Sequence, residues 1–213
     1  MSRPLPIFAL PEVVLLPGTL LPLHIFETRY RAMVGDALEG DRTIGMALVK
    51  PGVEDDGADP DVFAVGGAGE IVDSERLDDG RYNILLSGTF RFRILSELGT
   101  APYRRADVQP LDSVPFRDPA ALARSRGELM TLFAEMAPLL QLSPLPEEEL
   151  PAERLASEIA IRLRYAPGEL QQLLETDALA ERYGMLATRL REWRDRIRFL
   201  APFRPSAIEP GKN

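Results

Sequence analysis

A chain of 213 residues, 45% hydrophobic and 27% charged, has ordinary globular composition and is long enough to bury roughly 70% of its unfolded surface, in one large domain or two modest ones. Its formal charge of -8 argues against unspecific attraction to nucleic acid or anionic membrane, and the lack of cysteine excludes disulfides, thiolate catalysis and cysteine-based zinc sites. The N-terminus lacks a signal-peptide pattern, and Pro4, Pro6, Pro11, Pro17 and Pro22 cut the first apolar stretches well short of the ~20 residues a membrane span needs, so a soluble cytoplasmic protein is expected.

Up to about Pro115 the chain reads as short strands, with large apolar and polar residues alternating between Gly, Pro and acidic turns. Expected strands are Ile7 to Leu10, Val13 to Leu16, Leu20 to Phe26, Thr43 to Val49, Phe63 to Val72 and Tyr103 to Val108. Tyr82, Ile84 and Leu86, then Phe90, Phe92 and Ile94, alternate with polar neighbours across Ser87-Gly88, which predicts a hairpin or a bent strand pair with one buried face. One helix is expected from about Glu27 to Leu38, where Glu27 and Arg31 stand a turn apart and can pair. So many strands with a single helix favour a partly closed barrel over a doubly wound sheet. The acidic stretch from Glu54 to Asp61 predicts a mobile surface loop.

Beyond Phe116 the apolar period lengthens to that of helices. Asp118-Pro119 is an N-cap and first-turn pair, followed by Leu122, Leu129, Leu132, Phe133, Met136 and Leu140 on one face, with an interruption near Pro138. Leu155, Ile159 and Leu163 mark a second helix after Pro151, and Pro167 opens a short third carrying Leu170, Leu173 and Leu174. In the last helix Leu179, Tyr183, Leu186, Leu190, Trp193, Ile197 and Leu200 form a heptad seam, which suits the inside of a bundle or a contact between two chains; the bundle is the preferred reading. Its other face, with Arg182, Arg189, Arg191 and Arg194, is expected to be wet or to meet an acidic partner. The halves, residues 1–115 and 116–213, divide near Pro115 to Pro119 and are expected to pack together with a groove at their junction.

Signals for chemistry are sparse. His24 is the single histidine, so a multi-histidine metal site is impossible, and an outward, locally bonded strand histidine outweighs a catalytic base. Neither Lys50 nor Lys212 sits in a phosphate-binding Gly-x-x-x-x-Gly-Lys-Ser/Thr loop. Gly66-Gly67-Ala68-Gly69 reads better as a bulge or a close backbone approach than as a phosphate cradle. The acidic clusters at Glu54 to Asp61 and Glu147 to Glu149 are read as solvated, with no metal or cofactor implied. Arg91 and Arg93 share a strand face opposite Phe92, where they either form an exposed, salt-bridged surface or meet a carboxylate in bidentate fashion. Phe26, Tyr30, Met33 and Met46 gather aromatic and thioether groups, mostly core, of a kind that also suits adaptable apolar contacts.

The run Leu-Pro-Leu-His-Ile-Phe-Glu-Thr-Arg-Tyr-Arg from Leu21 to Arg31 resembles the start of the substrate-recognition domain at the N-terminus of ATP-dependent Lon proteases. Leu5 to Pro11 and Leu15 to Gly18 precede it, and Ile44-Gly45-Met46, Val65-Gly66 and the stretch Gly80 to Arg93 follow in that family's order. Leu163, Pro167 and Leu170 to Glu175 extend the likeness into the helical half. The resemblance implies an α+β fold, a β-rich pseudobarrel of PUA-like type followed by a helical bundle. It implies a non-catalytic module that binds unfolded or damaged polypeptides, as an adaptor or holdase, with an ATP-dependent protease as a partner and a homodimer as one assembly. Since the sequence stops at Asn213, neither ATPase nor peptidase is expected in it. Phe26, Arg29, Tyr30, Met46, Arg91 and Arg93 are the expected polypeptide-binding residues. The rival readings are a small-ligand sensor in the groove, an RNA-binding PUA-like module, which the acidic balance disfavours, and a small-molecule hydrolase or transferase using His24.

Overall fold

The alternation that begins at Tyr82 runs without a turn to Glu97, and this strand organises the sheet. In the computed structural model, which describes residues 2–52, 60–99, 102–146 and 148–200, the order is β1 (Arg3–Leu10), β2 (Leu20–Ile25), α1 (Thr28–Glu39), β3 (Thr43–Leu48), β4 (Val65–Arg76), β5 (Tyr82–Glu97) and β6 (Arg105–Leu111), then α2 (Pro119–Leu140), α3 (Ala152–Arg162), α4 (Pro167–Glu175) and α5 (Leu179–Leu200). The fold is α+β, strand-rich first and helical after. The expected loop at Glu54 to Asp61 lies for the most part outside the described residues.

β5 pairs with β4 on one edge; on the other it takes β2 along its first half and β6 along its second. The order β2-β5-β4-β3-β1-β6, with β6 returning to β5, closes five strands into a barrel and leaves β2 beside it. Among the described strands only β1 and β3 pair in parallel, joined by the crossover through β2 and α1. The expected hairpin is thus one continuous strand. Gly88 does not turn, because its N–H donates to the Thr19 carbonyl and its carbonyl accepts from Gly18, each at 2.8 Å.

Val13 to Leu16 forms no strand. Val14, Leu15 and Leu16 are buried, and their backbone lies flat on β4 and β5, between two prolines that cannot donate to a ladder. A Cβ at Gly67 would collide with the Leu15 carbonyl, and one at Gly88 with that of Leu16. A register shift falls between Ala68 and Gly69. The glycine run therefore marks close backbone approach, as its position in a strand suggested.

Leu5, Ile7, Ala68, Phe92, Ala106 and Val108 fill the barrel. Tyr30, Met33, Val34 and Ala37 of α1 pack on Phe8, Ile44, Met46 and Ile71 in a second cluster. Asp118 caps α2 by accepting from the N–H groups of Ala120 and Ala121. Pro138 does not interrupt that helix, which runs on to Leu140 and stops at Gln141 in the left-handed region, φ 53°. Most of the α5 seam closes within this chain: Leu179, Tyr183, Leu186 and Leu190 are buried, with Trp193 and Ile197 half-buried against the same core, while Leu200 at its end is exposed. Val14, Leu16, Leu48 and Val65 belong to that helical core too, so barrel and bundle share it.

Two buried arginines join the halves, and neither was expected there. Arg91 is 1% exposed: Nη1 donates to the Leu174 carbonyl at 2.9 Å and to Asp177 Oδ1 at 3.0 Å, and Nη2 donates to the Asp112 carbonyl at 2.9 Å. Arg182, on the α5 face expected to be wet, is buried and donates to the Thr176 carbonyl at 2.6 Å, to Glu153 at 2.9 Å and to Ser113 Oγ at 3.1 Å. Val114 pairs with Ala178 beside them, and Gln171 of α4 donates to the Val65 carbonyl at 3.0 Å.

Arg91→Ala should lower unfolding free energy by about 3 kcal/mol, since it strands buried carbonyls, while Asp177→Asn should cost under about 1 kcal/mol because that carboxylate is largely exposed; urea denaturation of both variants checks the ratio. A second expectation concerns Tyr103, whose hydroxyl donates to Asp36 Oδ2 at 2.7 Å. Burial first, then that hydrogen bond and the Asp36 charge, push its phenol up to about 12 from 10.0. Folding raises this acid's pKa, so the stabilisation is complete below the ordinary tyrosine range and is lost as pH rises through about 12. Ring-carbon NMR should give a midpoint there, shifted downwards in Asp36→Asn.

Candidate functional site

An open groove lies where β3 leaves the barrel and α4 begins. Leu48 and Val49 continue into the turn Lys50-Pro51-Gly52, facing Phe63 on one side and Pro167-Gly168 on the other, around about 340 Å³. Pro11 and Val49 also border a smaller recess of about 150 Å³ that reaches Leu10, Glu27, Arg29 and Pro60. Local chemistry explains the walls. Pro167 starts α4 with a preset φ, and Glu169 Oε2 accepts from the Ala166 N–H at 2.8 Å, fixing the helix start at the groove edge. Phe63 N–H donates to the Leu48 carbonyl at 2.9 Å, and Lys50 N–H to the Asp61 carbonyl at 2.8 Å. A Cβ at Gly168 would meet nothing within 4 Å, so this wall is open to a guest.

The floor is apolar, with both charges at the margin: Lys50 pairs with Asp61 at 3.2 Å and Arg29 with Glu27 at 3.0 Å. Such a cleft can bury one or a few apolar side chains, at about 1.5–3 kcal/mol for each of leucine size, while its rim meets polar backbone. Among the described residues its lining brings together no nucleophile and base. His24 lies on exposed β2, and Arg81, which can only donate, places a guanidinium nitrogen 3.1 Å from Nε2. Nε2 therefore accepts and Nδ1–H donates to Asn83 Oδ1 at 2.8 Å, so both ring nitrogens are committed. Among the described residues no group of three or more His, Asp or Glu is placed to hold a metal, and no helix is long and apolar enough to cross a membrane.

Residues 4–192 match the profile of the ATP-dependent protease La (LON) substrate-binding domain. The chain belongs to the Lon substrate-binding domain family. It is 34% identical over 185 residues to a Lon protease of Dictyoglomus thermophilum, covering 84% of this chain and 23% of that protein, and 29% identical over 185 residues to Lon protease 1 of Thermus thermophilus. It thus spans about a quarter of the length of these relatives, and the family match is to the substrate-binding domain, not to an ATPase or protease module. Among solved structures, a Lon N-terminal domain protein from Xanthomonas campestris is similar with a TM-score of 0.65 and 27% identity, covering 87% of this chain and 98% of that one. The N-terminal domain of a Mycobacterium avium complex Lon protease, 18% identical, has the same fold with a TM-score of 0.64, covering 89% and 99%.

In this Lon substrate-binding domain the residues expected to touch polypeptide scatter. Arg29 lines the recess, its guanidinium 4.6 Å from the centre of the Tyr30 ring. Phe26 is 62% exposed at the end of β2. Tyr30 and Met46 are core: the Tyr30 hydroxyl donates to the Ala9 carbonyl at 3.2 Å, and Met46 is 1% exposed. Neither presents a surface. Arg91 shares a strand face with exposed Arg93 as the alternation implied, yet the bundle covers Arg91, and the void of about 10 Å³ beside it is too small for a ligand. The groove residues Pro11, Val49, Phe63, Pro167 and Gly168 went unnoticed in the sequence because they come from distant points of the chain and none carries a chemical group. The one available signal was Pro167-Gly168 at a helix start beside the expected junction groove.

Proposed function

We propose that the junction groove is the polypeptide-binding surface of a non-catalytic recognition module that holds exposed apolar segments of unfolded or damaged proteins. The observation that carries this reading is the match of residues 4–192 to a substrate-binding domain, on a fold whose open groove is apolar inside and charged at its margin. An extended segment would place an alternate side chain against Leu48, Val49 and Phe63, with Arg29 and Lys50 orienting it from the rim. Phe26 and Arg93 are exposed and extend the candidate surface beyond the groove. Presentation to an ATP-dependent protease, as adaptor or as holdase, fits the named function of the relatives.

The test uses Gly168→Trp, which fills the groove from a helical position with open space in front of it. Fluorescence anisotropy with a labelled, permanently unfolded polypeptide should show binding that weakens at least about tenfold in the variant, with the unfolding midpoint unchanged. Equal affinity in both proteins would place the binding surface elsewhere. In a light-scattering assay the wild-type protein should slow aggregation of an unfolding client and Gly168→Trp should not.

A further inference from the structure

Two motifs that the groove leaves largely unused, Glu27-Thr-Arg-Tyr-Arg31 and Gly80-Arg-Tyr82, meet on another face of the barrel. Thr28, Arg31 and Ala32 of α1 face Arg76 of β4 and the Gly80 and Tyr82 turn across an opening of about 290 Å³. Arg31 does not pair with Glu27, as its spacing on the helix suggested, because Arg29 takes that carboxylate at 3.0 Å. Its guanidinium instead lies over Gly80, where a Cβ would collide with Nη2; the left-handed φ of 80° at that turn also calls for glycine. Arg76 lies over the Tyr82 ring, 5.8 Å from its centre.

Three carboxylates near these two cations are engaged by other groups. Glu27 is held by Arg29, and Glu75 accepts from Asn83 at 2.9 Å. Asp79 accepts from the Arg81 N–H at 3.1 Å and from Arg81 Nε at 2.6 Å. It acts on Arg31 only through space, and its carboxyl is held below the ordinary range chiefly by that backbone hydrogen bond. Among the described residues neither Arg31 nor Arg76 has an ion pair within 4 Å, in a chain where 33 acidic residues outnumber 25 basic ones. Thr28 at the pocket wall opens α1, whose N-cap Glu27 makes no side-chain cap hydrogen bond and pairs instead with Arg29.

We propose that this pocket binds an oxyanion, a carboxylate carried by a polypeptide or a free phosphate, between the guanidinium groups of Arg31 and Arg76. Both ligands offer the paired oxygens that a guanidinium fork takes. The site shares no residue with the junction groove and stands or falls apart from it.

The experiment is an NMR titration of the 15N-labelled full chain with three probes: inorganic phosphate, a peptide with acidic side chains and a free C-terminus, and the same peptide amidated with Gln in place of its acids. The expected result is saturable shifts confined to the amides of residues 28–32 and 76–82 with phosphate or with the acidic peptide, none with the neutral peptide, and weakening as salt rises. Saturation by the acidic peptide well below the phosphate concentration needed identifies the polypeptide carboxylate as the source; saturation by phosphate alone identifies phosphate. Arg31→Gln and Arg76→Gln should each weaken binding at least about tenfold. Arg76 is exposed, so its variant keeps the fold even if Arg31→Gln disturbs the Gly80 turn. No saturable shift with either anion, or shifts undiminished in Arg76→Gln and Arg31→Gln, would overturn the assignment.

Discussion

Arg91 is the point on which the arrangement of the two halves depends. A guanidinium buried to 1% exposure needs acceptors, and both terminal nitrogens of Arg91 find them in the β6–α2 connection, at the end of α4 and in the segment joining α4 to α5, while Nε has no partner. Arg182 completes the clasp from the helical side by donating to Thr176, Ser113 and Glu153. Burial pulls its pKa down, and hydrogen bonding to Glu153 opposes that shift. A strand residue and a helix residue so engaged fix α4 against β4, where Gln171 adds a bond to Val65. Backbone geometry supplies the rest. The glycines of β4 and β5 let the irregular Val14 to Leu16 segment lie on the sheet, so its side chains enter both the α1 cluster and the bundle core.

The groove follows from that clasp. Its walls belong to different halves, Leu48, Val49 and Phe63 on one and Pro167-Gly168 on the other, so its width is set by how firmly α4 is held. A site built between rigid elements from apolar side chains and a helix start, without a buried charge at its floor, discriminates by exposed hydrophobicity and extended shape more than by sequence. That is the selectivity the proposed recognition of unfolded or damaged chains requires. The Arg31 and Arg76 pocket is different in kind, with two cations in its lining, and the oxyanion site proposed there lies on a surface that the clasp does not govern.

Periodicity made most of the fold legible. The change from alternation to helical spacing near Phe116, the Asp118 cap and the prolines opening α3 and α4 all correspond to structure, and the ordered motifs from Leu21 to Arg93 pointed to the Lon family. What stayed hidden depends on contacts between distant segments. Alternation puts Arg91 and Arg93 on one face, but only the packed bundle separates a buried clasp from an exposed cation. The α5 pattern likewise left Arg182 on the polar side, because its acceptors at Ser113 and Glu153 lie far away in the chain. Val13 to Leu16 has the composition of a strand and becomes a packed cross-segment through the glycines beneath it. Pro138 removes one helical bond, to the carbonyl of exposed Ala134, and the helix continues only two residues beyond it.

The most direct test of the account is hydrogen–deuterium exchange of the full chain with and without a permanently unfolded polypeptide. New protection should concentrate at residues 48–52, 60–63 and 166–169, the two walls of the groove, with the Arg91 and Arg182 clasp protected in both states. Protection centred on the outer faces of α2 and α5, or none at saturating polypeptide, would contradict a recognition site at the junction of barrel and bundle.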